Sequence, residues 1–178
     1  MRDSPADHTP SRRAGTWIVV GMLALAVVLA SFAIWYQRSQ TRRCLEFYGS
    51  DHARRIQAAP RVELWQLAPT AAGGRLDPVG RTDISTARGV VHLRRGLVED
   101  ANFAWNRPPA IDRPPPTLAL AFYDDGAAAD PATLLVVGLD ERGGAIEVSG
   151  RAGVVALGRI AAGLRTWFAE AVSARARP

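Results

Sequence analysis

From Trp17 to Trp35 the chain runs for nineteen residues without a charge, and only Gly21 and Ser31 interrupt its apolar character. A helix rises about 1.5 Å per residue, so roughly 20 such residues match the ~30 Å hydrocarbon thickness of a bilayer. A core helix of a small soluble domain carries a polar stripe, and Val19 to Ala30 has none. The expectation is a transmembrane helix over residues 16–36, on a single-pass protein of the cell membrane. Trp17 at one end and Trp35 with Tyr36 at the other fall where amphipathic rings settle at the headgroup boundary. Arg38, Arg42 and Arg43 follow as interface anchors toward anionic lipid.

A signal sequence passes the same test of length. Ser11, Arg12 and Arg13 precede the apolar run as in a twin-arginine signal, and Ser31-Phe32-Ala33 offers a small-residue cleavage site. Against cleavage, Arg13 is followed by Ala14, Gly15 and Thr16 instead of a bulky apolar pair, and the run continues through Ile34, Trp35 and Tyr36. An uncleaved anchor is expected. Sidedness stays open, because Arg2, Arg12 and Arg13 stand on one flank and Arg38, Arg42, Arg43, Arg54 and Arg55 on the other.

All 22 basic residues are arginine. Without lysine, a phosphate-binding loop lacks the amine it places on the β and γ phosphates, and a pyridoxal enzyme lacks its Schiff-base residue. Abundant Arg, Ala and Gly fit a GC-rich coding sequence, and the arginines are spread along the chain without interleaved aromatics. The net charge of +5 therefore argues only weakly for nucleic acid, and no nucleic-acid partner is expected. The single cysteine, Cys44, excludes an intrachain disulfide, an iron–sulfur cluster held by several thiolates and a multi-cysteine zinc site. No cofactor is expected.

Residues 1–15 have the composition of a disordered tail. Residues 37–59 read as a juxtamembrane helical segment broken at Gly49, with Ser50 capping its second part and Pro60 ending it. Residues 60–178 read as one α+β domain. Within it, Val62 to Leu67 alternates as a strand, 68–83 reads as a surface loop, and Val90, Leu93, Leu97, Ala101 and Ala104 share one face of a helix within 85–105. Five prolines over 106–116 predict an extended surface segment. Leu118–Tyr123, Leu134–Leu139 and Ala145–Ser149 read as strands, with Asp140–Gly144 as a turn, and 153–174 reads as a closing helix. The order implies an antiparallel sheet of about four strands with helices packed on one face.

No catalytic residue stands out. Ser50-Asp51-His52 has hydrolase residue types, but neighbours on a helix point about 100° apart and cannot form a relay. Asp124, Asp125 and Asp130 in one loop and Asp140 with Glu141 in the next lack the spacing of a calcium loop, and His8, His52 and His92 lack paired ligand spacing. No metal site is expected. Arg88, His92 and Arg95 fall together on a polar helix face, where an anion could bind or where an Arg95–Glu99 pair could simply be solvated. The function expected is a non-enzymatic protein-interaction or envelope-scaffold module, with the bilayer and another protein as partners and Trp65 and Trp105 as contact candidates that equally suit the core. The alternative is an anchored enzyme or small anionic-ligand sensor working through Arg88, His92 and Arg95.

Overall fold

The structure, a computed structural model, describes residues 12–70, 76–107, 116–141 and 143–175. Most of the expected disordered tail and most of the proline-rich segment lie outside these residues. The chain divides between Ser39 and Gln40 into two units.

The first unit is one helix, α1 (Arg12–Ser39). Its stretch Gly15–Gln37 is long and apolar enough to cross a bilayer, and none of it is buried. Phe32 lies against Trp35 and Tyr36, with ring centroids 5.8 and 6.3 Å apart, as the three- and four-residue spacings of a helix require. Ser39 Oγ donates to the Tyr36 carbonyl at 2.7 Å, occupying one of the acceptors left open at the helix end.

The second unit comprises α2 (Arg42–Tyr48), α3 (Ser50–Ala58), β1 (Arg61–Pro69), β2 (Leu76–Asp83), α4 (Val90–Leu97), a 3₁₀ turn (Asp100–Asn102), β3 (Leu118–Tyr123), β4 (Thr133–Asp140), β5 (Gly143–Val148), β6 (Val154–Ala156) and α5 (Ile160–Arg175). The strands form one antiparallel sheet in the order β2-β1-β3-β4-β5-β6. Alternation sets its two faces. Val62, Leu64, Leu120, Phe122, Leu135, Val137, Ile146 and Val148 point to one side, where they join Tyr48, Ile56, Leu93, Leu97, Leu164 and Phe168 from the four helices in the main core. The segment expected as juxtamembrane helices is thus built into the core of the sheet unit, with Cys44, Tyr48 and Ile56 fully buried.

The sheet has six strands where about four were expected. β2 lies within the stretch expected as a surface loop, where prolines and glycines such as Pro78 and Gly80 leave no apolar period. It is an edge strand held by pairing with β1 alone, the position where a sheet tolerates proline. β6 occupies residues assigned to the closing helix, since Val154, Leu157 and Ala161 also fit a helical period. Gly158 explains the change of direction: a Cβ there would sit 2.9 Å from the Asn102 carbonyl oxygen, so the chain passes close to the 3₁₀ turn before α5 starts. The helix expected within 85–105 is confined to Val90–Leu97, with Gly89 before it at φ +88°.

Gly49 separates α2 from α3 at φ +79°, and Ser50 is the first residue of α3, making no capping bond with its side chain. The expected cap is replaced by glycine in the left-handed half of φ space, which lets the chain turn between two short helices.

Tyr48 is fully buried, and its hydroxyl has no hydrogen-bond partner among the described residues. An unsatisfied buried hydroxyl costs about 1–3 kcal/mol. Tyr48→Phe is therefore expected to stabilise the full-length protein in detergent by about 1 kcal/mol, read as a higher thermal midpoint. A lower midpoint would mean that the hydroxyl is satisfied.

Candidate functional site

The structure separates the three residues expected to share a polar helix face, and α4 holds two of them. Arg88 precedes the helix, and its carbonyl accepts the Trp167 indole N–H at 2.9 Å. His92 and Arg95 are on the helix and exposed. Among the described residues no Arg95–Glu99 ion pair forms; Glu99 instead accepts from the Asn102 side-chain amide at 3.2 Å.

Arg95 and its neighbour Arg94 line an open cleft of about 460 Å³ together with Gln57, Ser85, Val90 and Val91. Arg94 lies four residues after Val90, so its stem follows the edge of the core while its head reaches toward α3. Its Nη1 donates to the Gln57 carbonyl at 3.3 Å, and its Nε is buried without a partner among the described residues. Burial pulls the guanidinium pKa below its ordinary value, since low-dielectric surroundings disfavour charge. Arg94 makes no ion pair with any described carboxylate. Ser85 anchors the far wall: its Oγ accepts from the Val62 N–H at 2.9 Å, and its own N–H donates to Asp83 Oδ1 at 2.8 Å. Hydrogen bonds from the Ser85 hydroxyl, first, and from its N–H hold the Asp83 carboxyl below its usual range.

A second cleft, of about 440 Å³, is lined by Arg43, Glu46, Phe47, Trp105, Asn106 and Arg151. Trp105 is half-buried, packs on Phe103 and Phe47 at 5.3 and 6.2 Å, and donates its indole N–H to the Asp100 carbonyl. Trp65, the other aromatic contact candidate, is 7% exposed and belongs to a small core on the helix-free side of the sheet, with Ala119, Ala121, Tyr123 and Val136.

That face carries an array that the sequence reading did not assign. Glu63 accepts from Tyr123 Oη at 2.7 Å and from Trp65 Nε1 at 2.9 Å, and lies 3.4 Å from Arg61 Nε. Arg61 stacks over the Tyr123 ring at 3.7 Å and donates to the carbonyls of Gly126 and Ala128. Arg81 covers Trp65 at 4.4 Å. The odd numbering of Arg61, Glu63 and Trp65 was the available signal, since it puts all three on one face of β1. Most of these groups are answered by one another, although Arg61 Nε makes no hydrogen bond among the described residues, and the arrangement suits a clamp over the central alanines.

Ser50, Asp51 and His52 form no relay. His52 Nδ1 is 2.8 Å from Thr133 Oγ1 on β4. Burial first, then the charges of Arg55 and Arg151, lower its pKa. A lowered value favours the neutral ring in the fold, so the stability that His52 contributes is complete above the ordinary histidine pKa of about 6.5 and is lost as pH falls through the folded value. The urea midpoint of the wild type is expected to drop from pH 7.5 to pH 5 by more than that of His52→Gln; equal drops would remove His52 as the cause.

Cys44 is fully buried, and burial with the adjacent Asp100 raises its thiol pKa, so it stays protonated at neutral pH. Asp124 pairs with Arg55 at 2.9 and 3.0 Å. Among the described residues no three of His, Cys, Asp and Glu come together as a metal site would require. Comparison of the chain with protein-family models, with curated proteins and with solved structures finds no match.

Proposed function

We propose that this chain is a single-pass membrane protein in which α1 is a retained anchor and the α+β unit is a non-enzymatic module that binds another protein. The observation that carries the reading is the apolar stretch Gly15–Gln37, 23 residues with none buried. Apolar surface left in water costs about 25 cal/mol per Å², and lipid removes that cost along the whole stretch. Trp17, Trp35 and Tyr36, 75, 63 and 53% exposed, then serve as interface rings. Arg42 and Arg43 are exposed just beyond the helix; the side chains of Arg12, Arg13 and Arg38 lie outside the described residues.

The cleft formed by Arg43, Phe47, Trp105 and Arg151 supports a protein partner. Tryptophan and arginine dominate binding energy at interfaces because they combine large contact area with directed donors. The test is a photo-crosslinking amino acid at Asn106, which is exposed at the rim of this cleft, in full-length protein in native membranes. A discrete adduct that is absent with the crosslinker at Val79, 69% exposed on the edge strand, supports the reading. No adduct at Asn106, or equal adducts at both positions, contradicts it.

A further inference from the structure

We infer that the cleft between α3 and α4 is a phosphate site, formed by Arg94 and Arg95 with the Gln57 amide. Two guanidinium groups line one concave surface. No described carboxylate pairs with either of them. Arg94 is partly buried, and its Nε has no hydrogen-bond partner among the described residues, so its charge is held in surroundings that disfavour it. An anion seated in the cleft supplies the missing partner and offsets that burial.

The charge count selects the anion. Two uncompensated positive charges match a phosphate monoester or inorganic phosphate, which carries about −1.5 to −2 at neutral pH, better than a single carboxylate. Guanidinium forks suit phosphate oxygens through paired N–H donors. Asp83, two residues before Ser85, does not fill this role: its carboxylate takes hydrogen bonds from the Ser85 hydroxyl and N–H and forms no ion pair with either arginine. Val90 and Val91 complete the lining of the cleft, Val90 buried and Val91 exposed. Arg88 and His92, the other members of the expected trio, do not line it. The site stands on the geometry of the sheet unit and does not depend on the membrane reading of α1.

The phosphate group has two possible sources, a soluble ion or ester and a lipid headgroup, and the test separates them. Full-length protein in uncharged, phosphate-free maltoside micelles is titrated with inorganic phosphate and followed by ³¹P NMR line broadening. In a parallel arm, the protein in phosphatidylcholine vesicles carrying a photoactivatable phosphatidic acid is irradiated and its labelled peptides are mapped. Saturable broadening assigns a soluble phosphate; labelling confined to residues 85–95 without broadening assigns a headgroup. Arg95→Gln, at an exposed position that does not threaten folding, is expected to weaken whichever signal appears by roughly tenfold, the effect of one charge-assisted hydrogen bond. Arg94→Gln is expected to weaken it at least as much, and His92→Gln to leave it unchanged. Absence of both signals, or signals that Arg95→Gln does not move, overturns the assignment.

Discussion

Asp100→Ala is expected to lower the stability of the sheet unit by about 3 kcal/mol and its thermal midpoint by roughly 10 °C. Helix α2 has seven residues and no capping bond from its own Thr41. A helix this short is marginal by itself, and its first N–H groups need acceptors. Asp100 supplies them from the 3₁₀ turn: Oδ2 accepts from the Arg43 N–H at 2.9 Å and Oδ1 from the Cys44 N–H at 2.8 Å. Its own N–H donates to the Gln40 carbonyl at 2.8 Å, tying the turn to the start of the unit. Hydrogen bonds to an ionised acceptor are each worth about 1.5–3 kcal/mol, and a carboxylate at a helix N-terminus adds a favourable dipole interaction. Asp100→Asn, which keeps an acceptor but loses the charge, is expected to fall between wild type and alanine. Calorimetric unfolding of the three proteins in one detergent checks the order; an alanine variant within 1 °C of wild type would show that α2 does not depend on this cap.

Phe122→Ala is expected to cost about 4 kcal/mol, a large part of the roughly 5–15 kcal/mol by which domains are stable. Phe122 is fully buried on β3, opposite Val62 on β1 and Thr133 on β4, and joins the helix-covered core. Removing its ring forfeits the transfer energy and leaves a cavity that flanking strands cannot close, because both neighbours are fixed by ladder bonds. Val79→Ala on the exposed edge strand provides the contrast, with an expected change within about 0.5 kcal/mol. Urea unfolding of both variants decides; similar losses would mean that the core is not centred on β3.

The contrast between these residues explains what could be read from the chain. β1 and β5 announced themselves by alternation and β3 and β4 by short runs apolar on both faces, as inner strands packed on both sides must be, and the break at Gly49 followed from glycine itself. β2 did not, since an edge strand paired on one side needs few apolar residues. β6 did not, because three extended residues are too short for any period to separate them from the following helix. The polar trio Arg88, His92 and Arg95 came from drawing one helix through residues 85–105. Once the helix starts at Val90, Arg88 leaves the face and Arg94 takes its place beside Arg95. The burial of Arg94 depends on the Gln57 carbonyl, 37 residues away in the chain, and the cap on α2 comes from a residue more than 55 positions on. Such pairings are set by tertiary packing and leave no local trace.

If α1 is retained as a bilayer-spanning anchor, membranes from cells expressing the full chain, extracted with alkaline carbonate and analysed by intact mass, hold a carbonate-resistant chain that still contains Gly15–Gln37. A carbonate-soluble chain shortened at or near Ala33 would instead make the apolar helix a signal sequence.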